Sequence, residues 1–102
     1  MLAVEEPVLE RAKGGDPAAC RAIVEAHQRA VFAQLRGMLA PVGRGSVVED
    51  LAQDTFLRAF RALHRFEGSP VRLRAWLVTI ATRVALNELR RRDEGVDPAG
   101  IP

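Results

Sequence analysis

Cysteine is nearly missing from this chain of 102 residues: Cys20 stands alone. An internal disulfide and a cysteine-built metal site are therefore excluded, and with them a stapled secreted scaffold. Tyrosine is absent, and one tryptophan and four phenylalanines are the whole aromatic supply. No apolar run approaches the roughly 20 residues that span a bilayer. The opening, MLAVEEPVLERAK, is acidic at Glu5 and Glu6 and so is unlike a signal peptide. A Gly-rich phosphate loop, a paired-carboxylate motif and a nucleophile elbow are all missing, which argues against an enzyme. No cofactor or metal is implied. What remains is one soluble, cytoplasmic domain whose apolar fraction of 48% supports a small core. Below about 110 residues such a core is marginal, so regular helix packing and partners have to help.

Lysine is also scarce, because fourteen of the fifteen basic residues are arginine. Arginine is the side chain suited to bidentate phosphate and base contacts. The net charge of +2 hides an uneven distribution. Residues 46–54 carry Glu49, Asp50 and Asp54 and no base, whereas residues 71–92 carry Arg72, Arg74, Arg83, Arg90, Arg91 and Arg92 against Glu88 alone.

The pattern predicts helices separated by short breaks, with no strand alternation and no repeat. A first helix covers residues 2–13 and stops at Gly14-Gly15. Asp16 caps a second helix with Pro17 at its first position; its apolar stripe reads Cys20, Val24, His27, Val31, Leu35 and Met38. His27 is expected at the stripe's boundary. After a break over residues 41–45, Ser46-Val47-Val48-Glu49 reads as a capping box opening a third helix that runs to Phe66. Residues 67–70 form a further break, and a fourth helix continues to Arg92. Residues 93–102 read as a linker.

Wheels at about 100° per residue sort the last two helices. On the third, Val48, Leu51, Ala52, Thr55, Phe56, Ala59, Ala62, Leu63 and Phe66 face the core. Asp50, Gln53, Asp54, Leu57, Arg61 and His64 lie opposite, with Phe60 on the margin. An apolar centre ringed by charge is the anatomy of a protein-binding patch. On the fourth, Leu73, Leu77, Ile80 and Val84 form the core stripe. Arg72, Trp76, Thr79, Arg83, Asn87 and Arg90 share an arc of about 80° beside it. Cations for phosphates, an amide for base edges and an indole for stacking suit nucleic acid.

The string EDLAQDTFLRAFRALHRFEGSPVRLRAWLVTIATRVALNELRRR closely resembles region 2 of the extracytoplasmic-function (group IV) bacterial sigma factors. The shared pattern is an acidic E-D-x-x-Q-[DE]-x-F helix, a short loop, then an R-x-W-L-x-x-I-A helix ending in L-R-R. The preceding GDPAACRAIVEAHQRAVFAQL resembles the family's first conserved helix. The resemblance implies an all-α bundle of about four helices over residues 1–92. It also implies docking on the β′ clamp helices of core RNA polymerase through Glu49, Asp50, Gln53, Asp54, Leu57 and Arg61. Recognition of the promoter −10 element on the non-template strand would fall to His64, Arg65, Phe66, Ser69, Arg72, Arg74, Trp76, Thr79, Arg83, Asn87, Arg90 and Arg91. A base flipped out of the strand would be captured near the loop, its unstacking repaid by contacts in a pocket. An anti-sigma factor is the other implied partner, and no membrane contact is implied.

Two departures from the family stand out. Arg83 occupies a position where Asn is common and Asn87 one where Asp is common, so the promoter sequence does not carry over. The family's second DNA-binding domain, region 4, is not found in these residues. Two other readings of the residues stay open: a helical adaptor whose basic helix is only a solvated face, and a repressor that binds duplex DNA.

Overall fold

The computed structural model describes residues 4–95, with side chains through Arg91. Four helices make up the framework: α1 (Glu6–Lys13), α2 (Pro17–Leu39), α3 (Val48–Ala62) and α4 (Pro70–Gly95). Single 3-10 turns at Ala40–Val42 and Gly45–Val47 join α2 to α3, and another at Leu63–Arg65 follows α3. Among the described residues there is no strand, and no helix is long and apolar enough to cross a membrane. The all-α bundle expected from the sequence is the observed fold.

Local chemistry sets the boundaries. Pro7 lies in the first turn of α1. α1 begins at Glu6, after Val4 and Glu5, which are not helical, and residues 2 and 3 of the expected helix lie outside the described residues. Gly15, at φ +93°, supplies the left-handed residue after α1, and its N–H and that of Asp16 donate back to Ala12 and Arg11. Asp16 caps α2 as expected, accepting from the Ala18 N–H, with Pro17 just inside. Gly43, at φ +76°, turns the chain after α2.

The capping box does not form. Ser46 lies inside a 3-10 turn, and Val47 precedes α3 with no side-chain cap. A capping serine needs extended backbone, which a continuous turn denies it. α3 also stops at Ala62, four residues short of Phe66, where the backbone first tightens to 3-10 and then extends. α4 starts at Pro70 and continues to Gly95, so the first three residues of the expected linker are helical and the rest lie outside the described residues.

α2, α3 and α4 pack against one another, and α1 lies across α2 and the turn after α3. The buried ladder on α2 is Ala19, Ile23, His27, Val31, Leu35 and Leu39. This is the expected stripe rotated toward a strict spacing of four; Cys20, Val24 and Met38 are only half-buried at its edge. On α3 the expected face holds, with Thr55 buried because its hydroxyl donates to the Leu51 carbonyl at 2.7 Å. On α4 the buried stripe runs Leu73, Leu77, Ala81, Val84 and Ala85. Ile80 is half-buried at the margin, contrary to the wheel, because alanines at 81 and 85 bring the backbone itself against the core.

His27 is no boundary residue. It is 3% exposed and neither ring nitrogen has a hydrogen-bond partner. Burial, then the nearby Arg74 charge, push its pKa below the ordinary 6.5. The folded chain therefore binds this proton at lower pH than the unfolded chain does. Its contribution to stability is complete above pH ~6.5 and is lost as pH falls toward the depressed folded value. His27→Leu should remove this loss, up to ~1.4 kcal/mol per pH unit. Urea titrations of both proteins between pH 7 and 5 check it: parallel stability curves would place His27 outside the pH response.

Candidate nucleic-acid interface

The loop between α3 and α4 owes its shape to Phe66. Its ring is 6% exposed and meets Trp76 at 5.1 Å between centroids, tilted by 48°. Lys13 of α1 lies 5.8 Å from the centre of the same ring. Gly68 passes so close that a Cβ there would sit 3.0 Å from the ring's tip, so only glycine fits without a shift. The Arg72 N–H donates to the Ser69 carbonyl and ties the loop to the first turn of α4.

This arrangement opens a cavity of about 360 Å³ lined by Arg65, Phe66, Glu67, Arg72, Ala75, Trp76 and Thr79. That is within the range of ~300–1,000 Å³ usual for ligand clefts. Five of its residues were expected from the sequence. Glu67 belongs to the loop expected near the captured base but was not singled out, although a carboxylate at the mouth of a base-sized cleft accepts from exocyclic amino groups, and Ala75 was missed. The Thr79 hydroxyl donates to the Ala75 carbonyl at 2.9 Å, which leaves its lone pairs to accept. Arg65 and Arg72 supply the donors.

The remaining expected residues divide by position. His64 and Ser69 are exposed but do not line the cavity. Arg74 points away from it and lines a separate groove of about 250 Å³ with Glu25, Gln28 and Arg29 of α2. Arg74 lies two positions before Trp76, an offset of about 200° at 100° per residue, which places it on the far side of α4. Arg83 lines a neighbouring cavity with Arg58, Ala62, Trp76, Ile80 and Val84. Asn87, Arg90 and Arg91 continue the exposed face toward the C-terminal end of α4.

α3 presents the acidic face. Glu49, Asp50, Gln53 and Arg61 are exposed, and Leu57 is 55% exposed between them. Asp54 is half-buried and accepts from Arg58 Nε at 3.0 Å. Phe60 is half-buried and stacks on Phe56 at 6.2 Å. The acids lie in the first two turns of α3, where they favour the positive end of the helix.

One further charged group is built into the core. Glu88, 5% exposed, accepts from Arg44 Nη2 of the α2–α3 connection and lies 3.7 Å from Arg91. It thereby fastens that connection to α4. Among the described residues no group of His, Cys, Asp and Glu is arranged to hold a metal ion.

A helix with an exposed leucine amid acids, followed by a tight loop and an arginine-lined aromatic cleft, matches one family model over residues 23–94: Sigma-70 region 2. The chain belongs to the sigma-70 region 2 family. The resemblance carried by residues 49–92 is thus borne out, and the molecule is a region 2 domain of the extracytoplasmic-function type. The RNA polymerase sigma factor NccH of Alcaligenes xylosoxydans xylosoxydans is 36% identical over 87 residues. That match takes in 85% of this chain and 42% of NccH, so the chain spans less than half the length of this relative. No solved structure matches. Sigma factors are DNA-binding initiation factors of transcription and not enzymes. Within the sigma region 2 domain the family match includes α3, the loop and nearly all of α4, and leaves α1 outside.

Proposed function

We propose that this sigma region 2 domain docks on the β′ clamp helices of core RNA polymerase through the α3 face. In the same account it captures one unstacked base of the non-template −10 strand in the loop–α4 cavity. The observation that carries this reading is the cavity itself. An aromatic wall with donors from Arg65 and Arg72 and acceptors at Glu67 and Thr79 offers stacking and edge contacts together. An adaptor would need no such cleft. A duplex reader would need a helix free to enter the major groove, whereas Trp76 and Phe66 here wall a recess suited to an extruded base. Arg90 and Arg91 supply phosphate contacts, which position the strand without reading it. The partners and setting follow: core polymerase and promoter DNA in the cytoplasm, with an anti-sigma factor as the natural competitor for these surfaces.

The docking half has a direct test. Asp54→Ala and Leu57→Ala should each weaken binding to a β′ clamp-helix fragment by roughly 1–3 kcal/mol, the range of a central interface residue. The melting temperature should hardly move for Leu57→Ala, since its side chain is mostly in water. Calorimetric affinities unchanged in both variants would remove this face as the dock.

A further inference from the structure

The cleft assigned to the flipped base is not alone on this face. A second cavity, of about 270 Å³, lies one turn along α4 and is lined by Arg58, Ala62, Trp76, Ile80, Arg83 and Val84. Its floor is apolar, formed by Ile80, Val84 and Ala62. Its rim carries two guanidinium groups, one from each helix. Trp76 belongs to both cavities and is the partition between them.

Three features suit this recess to a nucleotide. First, its residues on α4 are displaced by about four positions from those of the first cavity, a translation of ~6 Å at 1.5 Å per residue. Stacked nucleotides are 3.4 Å apart along one strand. Neighbouring nucleotides can therefore occupy both recesses only in a strand that is already unstacked and extended. Second, both arginines have donors to spare. Arg58 uses Nε on Asp54, leaving its two Nη nitrogens, and Arg83 makes no ion pair among the described residues. Third, the charge is one-sided, since no carboxylate lines this cavity, whereas Glu67 lines the first.

We propose that this second recess binds the nucleotide adjacent to the captured base. Its base packs on Ile80 and the indole edge, and its phosphate lies between Arg58 and Arg83. Trp76 thus separates two consecutive bases of a single strand. Arg58, on the helix that carries the docking face, becomes a DNA-binding residue, held in place by its ion pair with Asp54. This inference rests on the single-strand reading above.

The chain's one tryptophan provides the signal, because it walls both recesses. Tryptophan quenching is measured at low salt with the full chain and the tightest-binding single-stranded DNA hexamer, replaced by an abasic nucleotide at one position at a time. Two adjacent positions should each weaken binding at least fivefold, the others less than twofold. Arg58→Gln, at an exposed site, should abolish the sensitivity at one of the two and preserve it at the other. One sensitive position overturns the second recess and leaves the first intact. An even loss across the whole abasic series in Arg58→Gln also overturns it, making Arg58 a plain backbone cation. Absence of saturable quenching with every oligonucleotide overturns both the second recess and the single-strand reading.

Discussion

Glu88→Ala should destabilise the domain by roughly 3 kcal/mol, the lower end of the range for breaking a buried ion pair from one side. The carboxylate is almost fully buried, and its removal strands the Arg44 guanidinium against α4. The lower end is appropriate because Arg44 keeps about a third of its side chain in water. Arg44 Nε is already buried without a partner, so the site has no slack to re-pair the lost charge. Replacing both residues by methionine should recover most of the loss, since an apolar pair of similar volume avoids the desolvation of two ions. Denaturant titration of the two single variants and the double variant reads this directly. A double variant no more stable than Glu88→Ala would mean that the ion pair itself, and not the stranded charge, sets the cost.

Leu77→Ala should cost about 2–5 kcal/mol, because it empties a fully buried site where α4 meets the other helices. Ile80→Ala, at the half-buried margin, should cost clearly less. Arg83→Ala and Asn87→Ala should leave the melting temperature nearly unchanged, since both are exposed. Differential scanning calorimetry on the four variants separates the framework of α4 from its working face. Asn87→Ala as destabilising as Leu77→Ala would overturn the assignment of that face.

Much of this was legible in the chain because helical period is a strong signal on long elements. The polar arc of α3 and the arc from Arg72 to Arg90 fell where the wheels put them. What escaped the sequence has identifiable causes. The ladder on α2 could not be aligned by size alone, since the small Ala19 is buried while the larger Cys20 and Val24 are only half-buried, an outcome set by packing against neighbouring helices and not by the spacing of α2 itself. Glu88 lies on the buried stripe of α4, a charge out of place that a wheel exposes, but its partner Arg44 sits 44 residues away in a connection with no period to read. Arg58 was hidden for a related reason: it joins its cavity through a contact between α3 and α4, not through the spacing of its own helix. Arg74 was grouped with the DNA face by proximity in sequence, and the helix turns it toward α2.

In the proposed function the loop and the head of α4 read a base while the end of α4 holds phosphates. Exchanging residues 67–72 for the loop of another family member tests this division, with the variant bound to core polymerase and titrated against single-stranded −10 sequences at several salt concentrations. The exchange should change the base preference at one position and leave the salt slope nearly intact, whereas neutralising Arg90 or Arg91 should lower that slope by ~0.7 per contact and leave the preference unchanged. A base preference that survives the exchange while the salt slope falls would contradict it, and would make the loop a backbone contact.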